Sequence, residues 1–340
     1  MSRPFLPPIK RGPSRMPLSD SPGANAARTV SLTVSERRGW ELVTLRSDRL
    51  EAEVVPGVGG TILQLRSLVR GGTPLLYETP WGLRARGALQ AAGSSSDLAM
   101  DAYPGGWQTA FPNGGPASDR HGATWTQHGE AWHAAFDWAP LSDGVRLETR
   151  LVRSPFRISR DIVLTDLGPE LGSEVRVTEA IVNEGGETIQ TAWGQHPAFG
   201  APLLSPRARI SSTAAGWQME AEVGASSDPA TVLPPGSHAK RFGYFTDFPG
   251  DRGFLRLDSP DAGIAVELDW ALDPYRCAWS WMEAGAAEGF PYYSSAYVLG
   301  LEPFSGWPAG IDAMTDAGRL VAFAPGQRRV GDVRLRVLPL

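Results

Sequence analysis

The chain has 340 residues, a net charge of −5 and one cysteine. Its arginines are scattered among acids rather than clustered, which excludes a nucleic-acid-binding surface. Cys277 alone can form neither an internal disulfide nor a thiolate metal site, which fits a reducing cytoplasm, and no apolar run approaches the ~18 residues of a membrane-spanning helix.

Residues 1–30 are rich in Pro, Arg and Ser, including Pro4, Pro7, Pro8, Pro13, Pro17 and Pro22, and carry no apolar core of the kind a secretory signal requires. Such a segment can neither continue a helix nor bury a hydrophobic face, so a disordered tail is predicted there. From Ser31 the pattern has period two. Val54 to Ile62 reads as a hairpin through a Gly-rich turn. The stretch from Gly105 to Gly115 is so dense in Gly and aromatic residues that it reads as a loop bringing backbone and a flat ring up to a ligand. Gln127-His128-Gly129-Glu130-Ala131-Trp132 follows. There His128 either meets a ligand or caps a strand end, and Gly129 leaves room for approach.

Val145, Leu147, Thr149 and Leu151 alternate with Arg146, Glu148 and Arg150, giving a strand with one apolar and one wet face. Ile158, Ile162 and Leu164 continue the rhythm, as do Val175, Val177 and Ile181 before the turn at Asn183-Glu184-Gly185-Gly186. Trp279 and Trp281 share one face of a further strand, and Val333, Leu335 and Val337 alternate with Arg334 and Arg336 after the turn at Ala324-Pro325-Gly326. No helical face exceeds about three turns. The fold predicted is all-β, a large antiparallel β-sandwich forming one domain over residues 31–340.

Two segments carry chemistry. Trp193-Gly194-Gln195-His196-Pro197 and Leu299-Gly300-Leu301-Glu302-Pro303 each set one proton-transferring side chain beside a proline in an apolar run. An imidazole and a carboxylate of this kind form a candidate acid/base pair that acts without metal or cofactor.

The ordered set GGWQTAFPNGG, QHGEAW, WGQHPAFG and YVLGLEP, closing on the Ala324-Pro325-Gly326 turn, resembles the aldose 1-epimerase (galactose mutarotase-like) superfamily, and its bacterial branch in particular, over about residues 38–338. The resemblance implies a sandwich that holds a small-molecule sugar in an open groove and interconverts its α and β anomers. It implies Glu302 as the base on the anomeric hydroxyl, His196 as the acid on the ring oxygen, and His128 as a sugar-binding histidine. Asn113 and Gln195, which stand in the matching loop and motif, are candidate substrate contacts. Trp281 and Trp307 are candidate aromatic platforms for a pyranose face, with core packing the alternative for both and for Trp279.

The chain departs from the superfamily's better-known members, which carry a second histidine beside the first and an arginine in the preceding loop. His121 and Arg120 lie near that region, and Asp269 and Asp273 near that of a substrate-binding aspartate, without a motif to select them. A non-catalytic sugar-binding or sensing protein is therefore an alternative. So is a carbohydrate hydrolase or lyase, with Glu130 or Glu283 as the second carboxylate that a hydrolase requires. His133 and His238 carry no motif and read as structural.

Overall fold

Two large antiparallel sheets face each other across one apolar core. The computed structural model of the protein describes residues 30–88, 93–224 and 227–340. The tail expected over residues 1–30 lies outside these, Val30 excepted. An 11-stranded sheet runs in the order Ser31–Arg37, Trp40–Arg46, Leu50–Val55, Thr61–Ser67, Trp107–Ala110, Gly194–Phe199, Tyr297–Phe304, Cys277–Ala284, Ala239–Thr246, Gly216–Val223, with Thr73–Pro74 paired beside Thr61–Ser67. An 8-stranded sheet runs Arg209–Ser212, Arg252–Ser259, Ile264–Ala271, Arg328–Pro339, Gly172–Asn183, Phe156–Gly168, Gly144–Arg150, Asp137–Pro140. Helix is confined, among the described residues, to Ser95–Ala102, Ile311–Asp316 and two single turns, and none is long and apolar enough to cross a membrane.

The period-two reading locates the core. Val145 and Leu147, Phe156, Ile158, Ile162 and Leu164, Val175, Val177 and Ile181, and Val333, Leu335 and Val337 all point inward and are buried. Their partners on the wet face form cross-strand ion pairs, including Arg336–Glu174 at 2.9 Å and Arg256–Glu267 at 2.6 Å. The hairpin from Val54 to Ile62 and the turns after Asn183 and at Ala324 fall as expected.

One expectation needs correction. The residues Trp107–Ala110 form not a ligand loop but a buried strand between Thr61–Ser67 and Gly194–Phe199. Gly106, at φ 88°, leads into it, and a Cβ there would stand 2.4 Å from the Ile62 carbonyl oxygen. Its Gly-rich entry thus serves close strand packing.

The inward rhythm has two polar gaps, at Arg160 and Glu179. These residues are register partners on neighbouring strands and fully buried, with Arg160 Nε 3.9 Å from Glu179 Oε1. Glu179 reaches across to the other sheet and accepts hydrogen bonds from Thr109 Oγ1 (2.5 Å), Trp193 Nε1 (2.7 Å) and Gln195 Nε2 (2.9 Å). Burial raises its pKa, while Arg160 and the three donors pull it back. Removing one member of such a pair leaves an uncompensated buried charge. Glu179→Ala should therefore lower unfolding free energy by about 3–5 kcal/mol. Denaturant unfolding measures this, and a loss below about 1 kcal/mol would show that the two sheets are not tied here.

Candidate active site

Antiparallel register builds the central pair. Gly194 pairs with Phe304 and Ala198 with Gly300, which sets His196 opposite Glu302 on the sheet face turned away from the core. Pro197 and Pro303 lie beside them and have no N–H to give to the ladder. His196 Nε2 stands 3.4 Å from Glu302 Oε1, with both side chains almost wholly buried. Gly300, two residues before Glu302 and so on the same face, makes the room. A Cβ at Gly300 would lie 2.3 Å from Glu302 Oε1.

His128 closes one side. It follows the strand Ala123–Trp125, its backbone N–H bonds Gly115 O and its carbonyl accepts from Phe111 N–H, and it adopts a left-handed φ of 57°. Gly129 does not open space for a ligand as expected, because a Cβ there would be 2.2 Å from Phe111 O. Its absent side chain lets two segments of backbone meet. The His128 ring stacks on Trp132 at 4.7 Å and meets His196 edge-on at 5.5 Å, and Tyr103 approaches His196 at 6.0 Å.

These residues wall a cavity of about 310 Å³, which Trp279, Trp281, Phe242, Tyr292, Met100, Gln127 and Ala309 complete. That is the size of a small-ligand site. Tyr103 Oη, His128 Nδ1, Trp132 Nε1 and His196 Nδ1 are buried and have no hydrogen-bond partner. Buried polar atoms are almost always bonded, so four orphans around one cavity mark a place where a ligand supplies the partners.

Burial also sets the protonation states. It pulls His196 down to about 4, and it pulls His128 down to about 3, helped by the neighbouring His196 and His133. Burial pushes Glu302 well above the ordinary carboxylate range. At neutral pH His128 and His196 are thus uncharged hydrogen-bonding rings, and loss of water favours the protonated form of the Glu302 carboxyl group.

The structure gathers Glu302, His196, His128 and Trp281 at the cavity and sets the other expected residues apart. Asn113 is buried in its loop, where its Nδ2 donates to the Pro116 and Thr126 carbonyls. Gln195 faces the core, donating to Glu179 and accepting from Trp107 Nε1, because adjacent residues on a strand point to opposite faces. Trp307 donates to Gln218 and lies under the Arg319 guanidinium, outside the cavity wall. Trp279 lines the wall although it is buried and stacked on Phe304 at 3.8 Å.

Arg120 pairs with Asp312, His121 with Glu187, Asp269 with Arg252 and Asp273 with Arg329, and none lines the cavity. Glu130 accepts the backbone N–H groups of Val152 and Arg153, and Glu283 those of Ala286 and Ala287, so both serve as loop caps rather than as a second catalytic carboxylate. Tyr103, Tyr292 and Phe242 escape sequence reasoning, since each sits in a segment without a motif. Trp132 was visible only as the end of the His-Gly-Glu stretch. Among the described residues no group of three or more His, Cys, Asp or Glu gathers as a metal-ligand set.

This architecture is that of the galactose mutarotase-like β-sandwiches. A "putative aldose 1-epimerase" from Klebsiella pneumoniae superposes with a TM-score of 0.70 at 12% identity, covering 91% of this chain and 84% of that one. Another so described, from Escherichia coli K12, gives 0.59 at 22% identity over 91% and 100%. A galactose mutarotase-like protein from Clostridium acetobutylicum gives 0.62 at 12% identity over 92% and 100%. Within that class the chain belongs to DUF4432, a family of unknown function, which it matches over residues 37–337. It is 26% identical over 223 residues to "Uncharacterized protein YphB" of Escherichia coli K12, covering 62% of this chain and 71% of that protein.

The Gly300 contact gives a direct test of how the pair is positioned. Gly300→Ala should fold normally but displace the Glu302 carboxylate, the flexible partner in the clash. The His196 imidazole, followed by NMR, should then titrate as it does in Glu302→Gln. A wild-type titration would mean that the carboxylate kept its place.

Proposed function

We propose that the protein is an isomerase of the aldose 1-epimerase type, interconverting the α and β anomers of a sugar by general acid/base ring opening. The observation that carries this reading is the His196–Glu302 contact at 3.4 Å, in the wall of a cavity that clusters unpartnered polar atoms beside it. Opening a cyclic hemiacetal needs one proton removed from the C1 hydroxyl and one delivered to the ring oxygen as the C1–O bond breaks. A pair holding one proton does both. With that proton on His196, the Glu302 carboxylate takes the hydroxyl proton while His196 gives its own to the ring oxygen. The pair ends uncharged, which is the form that burial favours. Rotation about C1–C2 presents the other carbonyl face, and Glu302 then returns its proton to the carbonyl oxygen while His196 takes one from the C5 hydroxyl.

Around this pair, neutral His128, Tyr103 and Trp132 are placed to bond sugar oxygens, and Trp281 offers a face for pyranose C–H groups. A hydrolase reading loses support because the residues offered as its second carboxylate are bound to backbone amides.

NMR exchange spectroscopy on a panel of sugars detects anomer interconversion directly. Glu302→Gln and His196→Asn should each keep the fold and most sugar affinity while slowing exchange by ~10²-fold or more. Wild-type rates in both folded variants would reject the assignment, and binding without exchange by the parent would favour the sensing alternative.

The pH profile is a second test. Below about 4 His196 takes up a second proton, and above the raised pKa of Glu302 the pair loses its only one. The rate should thus form a bell whose acid limb lies near pH 4 and whose basic limb lies above the ordinary carboxylate range, both belonging to the pair. A rate flat from pH 3 to 10 would rule out proton transfer by these two groups.

A further inference from the structure

The cavity is asymmetric, and strand order shows how. Crossing the sheet face from Gly194–Phe199 through Tyr297–Phe304 and Cys277–Ala284 to Ala239–Thr246, the wall passes from His196 to Glu302, then to Trp279 and Trp281, then to Phe242. Trp279 is the register partner of Glu302, and Phe242 that of Trp281. Neighbouring strands lie ~4.8 Å apart, so the Phe242 strand is roughly 10 Å from that of Glu302.

The unpartnered polar atoms all belong to the end at His196: Tyr103 Oη, His128 Nδ1, Trp132 Nε1 and His196 Nδ1. Toward the Phe242 strand two polar groups are already engaged. Trp279 Nε1 donates to Gly306 O at 2.8 Å, and Tyr244 Oη, on the Phe242 strand, accepts from Ala309 N–H at 2.8 Å.

No lysine or arginine lines the wall among the described residues. Arg120 is held by Asp312, and Arg319 lies over Trp307 and donates to its carbonyl. Arg241, beside Phe242, donates to the Asp228 and Thr231 carbonyls, and Lys240 stands opposite Glu283 in register. Among the described residues the only carboxylate in the wall is Glu302.

We propose that the cavity takes an uncharged, unphosphorylated aldose and seats its least oxygenated edge, such as the methyl-bearing edge of a 6-deoxyhexose, over Trp281, Trp279 and Phe242. This rests on the anomer-interconversion reading for the placement of C1 between Glu302 and His196. A phosphate brought into this wall gives up water and meets aromatic rings and a carboxyl group, with no cation to replace its solvation. A hydroxymethyl group over the Trp279 and Phe242 rings loses water and meets a Trp279 N–H that is already given to Gly306. A methyl group there buries apolar surface instead.

The test uses the full-length protein and three matched sugars, 6-deoxy-D-galactose, D-galactose and D-galactose 6-phosphate, with the same triplets in the gluco and manno series. Binding is followed by tryptophan fluorescence, and anomer exchange separately by NMR. In the series that binds, the 6-deoxy sugar should bind about 10-fold more tightly than its parent, and the phosphate at least about 100-fold more weakly. Equal or tighter binding of the phosphate, equal binding of the 6-deoxy sugar and its parent, or no binding by any member would each overturn the proposal. The expected order of affinities without accelerated exchange would uphold this ligand class while removing the isomerase reading, so the two fail separately.

Discussion

The arrangement depends on one buried carboxylate that belongs to neither the cavity nor the surface. Glu179 grows from the middle of the 8-stranded sheet and is bonded by Thr109 and Gln195 of the facing sheet and by Trp193, which leads into it, with Arg160 beside it. Apolar packing holds two sheets together but leaves them free to slide, since it is non-directional. Two hydrogen bonds from the segment Trp193 to Gln195 to a fixed carboxylate, and a third from Thr109 on the adjoining strand, remove that freedom there. The next residue is His196. Position in the sandwich is thereby converted into position in the cavity within one residue of backbone.

The conversion works because a strand has two faces. Gln195 turns inward to Glu179 and His196 turns outward to Glu302, so one six-residue strand serves the core and the site at once. The neighbouring strand repeats the device, with Leu301 in the core cluster and Glu302 and Gly300 on the outer face. Antiparallel register then fixes how far apart the two functional groups stand. The acid/base pair is thus a cross-strand pair of the kind that stabilises any sheet, with a titrating group on each member.

This explains which features could be read in the sequence. Alternation gave the strands and the inward faces, because burial of one sheet face enforces period two. The same alternation carried the Arg160–Glu179 clamp as two gaps in an otherwise apolar rhythm, but a gap names no partner, and the partners lie on other strands. Glu302, His196 and His128 stood out because each interrupts an apolar or Gly-rich run. Gln195 and Asn113 shared those motifs without sharing the cavity. Proximity in sequence does not survive a change of sheet face in the first case or a loop closed on its own carbonyls in the second. Tyr103 and Tyr292 reach the wall from a helix C-cap and a loop, whose placement depends on contacts that no local pattern encodes.

Two buried glutamates separate structure from chemistry in this molecule. Both have their pKa raised by loss of water. Glu179 answers that cost with three donors and a guanidinium, so its environment is complete and any ligand would be an intruder. Glu302 has the His196 ring at 3.4 Å, and His196 Nδ1 and three polar atoms around the pair lack partners. His128 is also held at a left-handed φ. A fold selected for stability alone would fill such a wall with apolar groups or satisfy its polar ones. Unsatisfied polarity, a left-handed backbone and a buried imidazole–carboxyl contact converge on one face of one sheet, directly behind the three-donor Glu179 carboxylate of the core. The clamp holds rigid what the cavity leaves incomplete, and the incompleteness is what a polyhydroxylated ligand can fill.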